Sequence, residues 1–330
     1  MSKLVVVFGG SGFIGTQVVR ALTKRGYRVR VPMRRPHLGA SLRVAGEVGQ
    51  VQLVQANVRF PESIDAALEG ADAVVNLIGV LHDNGKQGFE PMHVDAARAI
   101  AEATKRRGIS VMAHVSALGA APTGAQYART KYRGEQAVRE ALPTATVLRP
   151  SIVFGPGDGF FNRFAEMARN PLLHGMFGFV PLIGGGKTKF QPIYVGDVAD
   201  AVCAALERSD ARGRTYELGG PATYSFRQLI EFIRRETDRN APLLPLPFFV
   251  AQLIGLLVSW VFALIPFVDP PITSDQVTLL KRDNVVGSEA GVGTIQDMGV
   301  TQLESIEAIV PSYIWRFRPY GQFQTKQNPA

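Results

Sequence analysis

One cysteine, Cys203, stands in 330 residues. A lone thiol cannot form an internal disulfide or a cysteine-based zinc site. Its setting in the apolar pattern from Val198 to Leu206 predicts a buried core thiol. The five histidines, His37, His82, His93, His114 and His174, show no metal-ligand spacing, so no metal is expected. Charged residues make up 19% against 46% hydrophobic ones, enough for a sizeable core beneath a lean charged surface. No Lys/Arg run is interleaved with aromatics, which removes the usual footprint of a nucleic-acid partner. There is no internal repeat and no low-complexity stretch. What is present in excess is positive charge, formally +8, which suits a phosphorylated cofactor or an anionic membrane surface. A strand-like run begins at Leu4, directly after Met1-Ser2-Lys3, so no signal or transit peptide is expected and a reducing cytoplasm fits.

Along the first half, apolar runs alternate with amphipathic stretches, the pattern of a parallel sheet with helices on both faces. Strands are expected at residues 4–8, 27–33, 51–57, 73–78, 111–115 and 146–149. Helices are expected near 14–25, 94–107 and 127–141. After Pro150, Gly/Pro-rich loops (155–159 and 183–186) interleave with helices near 160–169 and 198–207. Ser225 with Gln228 forms a capping-box pattern that opens a further helix. The expected class is α/β: a Rossmann-like doubly wound parallel sheet with a smaller, interleaved C-terminal lobe. The nucleotide-binding domain is expected to take 1–155 plus about 190–208, and the lobe 156–189 and 209–330.

Gly9, Gly10, Ser11, Gly12, Phe13, Ile14 and Gly15 lie between the first strand and the first helix. Gly9 allows the tight turn, Gly12 lets the backbone approach a pyrophosphate, and Gly15 permits close helix packing. The helix start then offers N–H groups and a positive dipole end to phosphates. About twenty residues on, NAD-binding proteins usually place an acid on the ribose 2′-hydroxyl. Here the second strand ends in Met33-Arg34-Arg35 with no acid nearby. An acid would repel a 2′-phosphate by about 4 kcal/mol at ~4 Å and an effective dielectric near 20. Arginine gains charge-assisted bonds instead. NADP(H) is therefore expected in preference to NAD(H).

Tyr127 and Lys131 are four residues apart, on one face of an expected helix. Acid/base work near neutrality needs the phenol lowered from ~10 towards 7, worth about 4 kcal/mol, and a Lys ammonium one turn away, plus an oxidised nicotinamide, supplies such a field. The preceding strand ends in Ser116. Together with Arg149-Pro-Ser-Ile-Val-Phe-Gly-Pro156 and Pro192-Ile-Tyr-Val-Gly-Asp197, these motifs resemble the extended and atypical short-chain dehydrogenase/reductase family. That resemblance implies Tyr127 as acid/base, Lys131 as its partner and holder of the nicotinamide ribose, and Ser116 as the substrate-side hydroxyl. It also implies cofactor contacts at Asn57, Val58, Leu77, Ile78, Gly79, Pro150, Ile152 and Val153. Two positions depart from the family's pattern. Ser116 is followed by Ala117 where active members often have a second small hydroxyl, and Asn57 stands where an Asp is common at the adenine site.

The stretch Gly184-Gly-Gly-Lys-Thr188 looks like a P-loop, but the required first glycine is Pro181 and no buried strand is expected before it. It is read as a substrate-side loop.

Residues 248–265, between Pro247 and Pro266, carry no charge. As a helix they would extend ~27 Å, short against a ~30 Å hydrocarbon core. Gln252, Gly255 and Ser259 share one face, and Leu253, Leu256, Leu257, Trp260, Val261 and Leu264 cover the rest. An interfacial helix, peripheral on a membrane surface, and an ordinary buried helix both satisfy this pattern. Residues 272–286 and the tail 313–323 resemble the branch of the family that includes the NADPH-binding accessory subunit of respiratory complex I. In that branch the nucleotide is a structural cofactor beside the membrane. The resemblance implies an accessory subunit or assembly factor with complex I-type partners, from a bacterial relative on its inner membrane. The alternatives are an active NADP(H)-dependent reductase, dehydrogenase or epimerase of a small hydroxyl or keto compound, and a cofactor-sensing regulator.

Overall fold

The computed structural model describes residues 2–81, 88–170, 179–262, 273–287 and 289–323. It divides into two compact units. The first comprises Met1–Ser151, Val195–Gly219 and Val286–Leu303; the second comprises Ile152–Tyr194, Gly220–Val285 and Glu304–Ala330. Residues 286–303 thus return to the first unit rather than staying in the lobe. The physical cause is a sheet edge: Gly293–Thr294 pairs with Thr215–Leu218.

The first unit is built on strands β1 (Leu4–Phe8), β2 (Arg28–Met33), β3 (Val51–Gln55), β4 (Ala73–Asn76), β5 (Met112–Val115) and β6 (Thr146–Pro150). With the two later strands they make one eight-stranded sheet, ordered Gly293–Thr294, Thr215–Leu218, β6, β5, β4, β1, β2, β3. Every pairing in it is parallel. β1 is apolar and buried at all five positions, as a central strand covered on both faces must be. Val6, Phe8, Val74 and Met112 face one core with Ile64 of helix α2 (Pro61–Ala67), Ile100 of α3 (Ala96–Arg106) and Val138 of α4 (Gln126–Ala141). Val5 and Val7 alternate to the other face, and α1 (Phe13–Lys24) packs along the helix Val195–Glu207. Cys203 on that helix is buried, and burial pushes its thiol up to about 12, so it is the inert core thiol expected.

The chain turns from one side of the sheet to the other between β1 and β4, which are neighbours. Open α/β sheets bind ligands at such a switch point, beyond the carboxyl ends of the strands.

The second unit has an aromatic core of Phe154, Phe161, Phe190, Phe226 and Phe232, closed by Ile306, Val310, Tyr313 and Ile314 from the tail. Burial of each such side chain contributes roughly 1.5–3 kcal/mol. The Tyr313 hydroxyl donates to Asp158, whose carboxylate also accepts the N–H groups of Gly155 and Phe161. The capping box at Ser225 and Gln228 forms as expected and opens the helix Phe226–Thr237. A buried strand, Val180–Ile183, does lead into Gly184, contrary to the sequence expectation; it pairs with Leu243–Leu246. Beyond it the chain makes a short turn and the strand Lys189–Phe190, with Gly186 pressed on Arg227, and not the helix a P-loop requires. Among the described residues, no helix is long and apolar enough to cross a membrane.

Candidate functional site

The glycine loop takes up the turn after β1. Gly9 has φ +80°, and an added Cβ there would lie 3.0 Å from the Leu77 carbonyl carbon. The two loops that follow β1 and β4 therefore run side by side, joined by the Leu77 N–H donating to the Phe8 carbonyl. A Cβ on Gly15 would sit 2.2 Å from the Gly9 carbonyl oxygen and 2.6 Å from the Gly10 Cα. Only hydrogen fits where α1 meets the loop. At Gly12 an added Cβ would meet nothing nearer than the Gly9 carbonyl oxygen at 3.3 Å. The glycine is not needed there for packing within the protein.

Gly12 caps α1 without a side-chain bond, and no acidic residue lies in the first turn. The first N–H groups of a helix have no carbonyl partner within it, and no carboxylate of this first turn answers the positive end of the dipole. A cradle with free donors, closed on one side by glycines, fits the pyrophosphate of a dinucleotide. Arg34 and Arg35 are exposed at the end of β2, where a 2′-phosphate would be read. Asn57 is committed elsewhere: its N–H donates to Ser63 Oγ and its Oδ1 accepts the Arg59 N–H. Its neighbour Val58 packs partly buried on the first core. Pro150 ends β6, and its carbonyl accepts the Leu118 N–H. Ile152 and Val153 open the second unit, where the Ile152 carbonyl accepts the Ile193 N–H.

Tyr127 and Lys131 stand on α4 as expected. Lys131 is buried and its Nζ donates to the Val115 carbonyl at 3.4 Å. A Cβ on Gly79 would lie 3.0 Å from that Nζ, so the ammonium reaches the cofactor-side loop after β4. Burial pulls Lys131 down to about 8, opposed by Glu135 one turn along the helix. Burial pushes the Tyr127 phenol up to about 12. Desolvation disfavours the charged phenolate. Ser116 is buried at the end of β5, and its hydroxyl has no hydrogen-bond partner among the described residues.

Sequence reasoning passed over two histidines that this site buries. His93 lies in a π turn, Glu90–Asp95, leading into α3, a distortion often found at functional sites. Thr130 Oγ1 donates to the Gln126 carbonyl, so it accepts from His93 Nδ1 at 3.0 Å. The remaining nitrogen, Nε2, accepts the Val80 N–H at 3.1 Å. The ring stacks on Phe89 at 5.4 Å and meets Tyr127 edge-on at 5.4 Å. One neutral imidazole thus ties the loop after β4 to the helix that carries Tyr127 and Lys131. The helix comes close enough for this because a Cβ on Gly134 would sit 2.1 Å from the His93 carbonyl oxygen.

His114 pairs across β4 and β5 with Asn76. Asn76 Oδ1 accepts the Ile78 N–H, which leaves its Nδ2 to donate to His114 Nδ1 at 3.1 Å. His114 then carries its proton on Nε2, which has no partner among the described residues. His114 and Ser116 are two apart on β5 and so share a face, giving two buried, unanswered polar groups there. The available signal was the alternation of polar residues inside an otherwise apolar strand.

Burial and Lys131 hold both histidines down at about 3 from an ordinary 6.5. The folded chain refuses protons that the unfolded chain accepts, so stability is full above pH 6.5 and falls as pH drops towards 3. Each contributes a slope of about 1.4 kcal/mol per pH unit. His114→Met is expected to halve the histidine part of the slope between pH 6.5 and about pH 5, read by urea unfolding above the carboxylate range. An unchanged slope would mean that His114 is charged or exposed in the folded protein.

A family model for the NAD-dependent epimerase/dehydratase family matches residues 5–219. The chain belongs to that family. Its members are NAD(P)-binding proteins of the extended short-chain dehydrogenase/reductase type, which accounts for the glycine cradle and the Tyr127/Lys131 helix in one architecture. The chain is 35% identical over 313 residues to NADH dehydrogenase (ubiquinone) 1 alpha subcomplex subunit 9, mitochondrial, of Rattus norvegicus, covering 93% of this chain and 79% of that protein. It is 34% identical over 294 residues to the protein of the same name from Arabidopsis thaliana, covering 87% and 72%. Among solved structures, gox2253 superposes with a TM-score of 0.72 at 21% identity, over 98% of this chain and all of that one, a likeness of fold.

Proposed function

We propose that this protein is an NADP(H)-binding accessory subunit or assembly factor of a complex I-type NADH:quinone oxidoreductase, holding its cofactor as a structural element. The observation that carries the reading is similarity over 93% of the chain to a protein named as a subunit of such an enzyme, joined to an intact dinucleotide cradle. Support for a held cofactor comes from Ala117, which follows Ser116 without a second hydroxyl. On this reading the protein sits peripherally at the cytoplasmic face of a bacterial inner membrane, beside subunits of the oxidoreductase. Purification of the native protein from membranes is the direct test. Co-migration with the oxidoreductase's subunits is expected, and a protein that leaves the membrane alone argues against it.

The nucleotide would lie on the cradle from Gly9 to Gly15, with Leu77, Ile78 and Gly79 beside it and Lys131 and Ser116 as donors at its reactive end. Arg34 and Arg35 favour NADP(H) over NAD(H), because the 2′-phosphate gains charge-assisted bonds that a 2′-hydroxyl cannot. Fluorescence titration is expected to give tighter binding of NADPH than NADH. Arg34→Ala/Arg35→Ala should lose roughly 10- to 100-fold for NADPH, at about 1.5–3 kcal/mol for the bonds removed, with NADH little changed. Equal affinities in the unaltered protein would overturn the preference.

A second reading rests on one observation, the retention of Tyr127 and Lys131 together on α4. In it Lys131, together with the positive ring of an oxidised nicotinamide, would stabilise the phenolate, and Tyr127 would exchange its proton with a substrate oxygen while the cofactor would supply or accept hydride. Oxidation of bound NADPH by small keto compounds, lost in Tyr127→Phe, favours that reading; its absence favours the structural one.

A further inference from the structure

The helix Phe248–Phe262 presents two faces of different character. Its inward face carries Ala251, fully buried, and Gly255, where an added Cβ would lie 2.9 Å from the Ser274 nitrogen. Gln252 on the same side donates from Nε2 to Thr278 Oγ1 and accepts from Lys281 Nζ. The opposite stripe is Phe249, Leu253 and Leu256, spaced i, i+4 and i+7, and exposed by 76%, 60% and 54%. Leu279 of the neighbouring helix Ser274–Leu279 adds a further exposed apolar side chain. A helix of a globular protein turns its apolar stripe to the core and its polar residues to water. Here Ala251, Gln252 and Gly255 lie towards the protein beside the Phe248 ring, while Phe249, Leu253 and Leu256 face out.

We infer that this stripe is a docking surface for an anionic lipid headgroup layer, into which Phe249, Leu253 and Leu256 insert while the helix lies along the interface. This deepens the membrane-surface part of the proposal above and rests on it. Charge selects the occupant. Lys281 is held against the helix by Gln252, and Arg282 beside it is exposed. At the amino-terminal end Gly184 abuts the Phe248 ring, and exposed Lys187 closes that loop. Asp283 lies on the same rim and accepts the Lys189 N–H. Residues 241–268 carry no charge, so nothing in the segment itself opposes insertion. The stripe offers on the order of a few hundred Å², short of the ~800 Å² per partner of a stable protein interface. A lipid surface needs no such area, because apolar insertion and basic residues act together.

The test is sedimentation of the full chain with vesicles of phosphatidylcholine plus phosphatidylglycerol, and with phosphatidylcholine alone. Stronger binding to the anionic vesicles is expected, weakened by salt. The variant Phe249→Ser/Leu253→Ser/Leu256→Ser should bind about a hundredfold more weakly, since each lost side chain removes a large part of its transfer free energy. Lys281→Glu/Arg282→Glu should fall to the level of neutral vesicles, at roughly fivefold or more per residue. All five side chains are exposed, and an unchanged cooperative melt by circular dichroism, beside unchanged NADPH affinity in the first unit, is the control on folding. Absence of vesicle binding, equal binding by the triple-serine variant, a dimer in gel filtration that the variant abolishes, or binding only to membranes that retain protein would each overturn the inference. Loss of co-migration with oxidoreductase subunits while vesicle binding persists would instead remove the functional reading and leave the lipid surface standing.

Discussion

Gly12→Val is expected to abolish NADPH binding while the first unit stays folded. The reason lies in what surrounds the glycine. Its added Cβ meets only the Gly9 carbonyl oxygen at 3.3 Å, a contact that a small shift relieves, so the protein itself tolerates a side chain there. On the proposed reading, the space that side chain fills is the one a pyrophosphate would need to reach the first N–H groups of α1. Each charge-assisted bond withheld costs about 1.5–3 kcal/mol, so two of them amount to a loss of a hundredfold or more. Gly15→Ala makes the contrast. Its Cβ would fall 2.2 Å from the Gly9 carbonyl oxygen, and backbone atoms cannot swing aside. That variant should lose thermal stability and affinity together, as α1 is pushed off the loop. Paired measurements of NADPH affinity and of melting by circular dichroism separate the two cases. Normal NADPH binding by Gly12→Val would show that the loop is a turn and not a phosphate cradle.

The largest loss of stability is expected from Arg149→Met. Arg149 on β6 is buried and donates to both carboxylate oxygens of Glu135 on α4, at 2.9 and 2.7 Å. It also pairs with Glu289. Its neighbour in register, Glu217, is buried too and accepts the Gly287 N–H at 2.7 Å. Carboxylates pull the guanidinium upward despite its burial. Removing the arginine leaves Glu135, fully buried, without its partner, and a buried charge stranded in this way costs about 3–5 kcal/mol. Arg149→Met/Glu135→Met should recover much of that, because two apolar residues of similar length leave no charge to strand. Urea unfolding of the single and double variants reads the difference. A single variant within about 1 kcal/mol of the unaltered protein, the ceiling for exposed pairs, would mean that the pair is solvated. The consequence for the site is direct, since Glu135 lies one turn beyond Lys131 and favours its ammonium.

What the chain order discloses is local. The five-residue apolar run of β1, the glycines that need φ above zero or a missing Cβ, and the Ser225/Gln228 cap are set by neighbours within a few residues. They were legible, as were the Tyr127/Lys131 pair on one helix face and the arginines that end β2. The family resemblance carried by those motifs also stands. The small stripe of Gln252 and Gly255 turned to the protein was legible for the same reason, since a helix period alone orders its faces, while Ser259, its third member, lies outside the residues whose side chains are described.

The tertiary structure decided what depends on distant partners. The short strands Thr215–Leu218 and Gly293–Thr294 gain their pairing only from the edge of a sheet already formed. The strand Val180–Ile183, missed before Gly184, is specified by Leu243–Leu246, far along the chain. His93 shows no metal spacing and no motif; its role comes from Val80 and Thr130, which folding brings to its two nitrogens. Burial raises the Tyr127 phenol, and burial is a property of the packed site that spacing along a helix does not give. Periodicity, caps and glycine geometry are short-range physics that the sequence determines by itself. Desolvation, buried charge pairing and edge-strand registry are sums over residues far apart in the chain, and only the folded structure sets them.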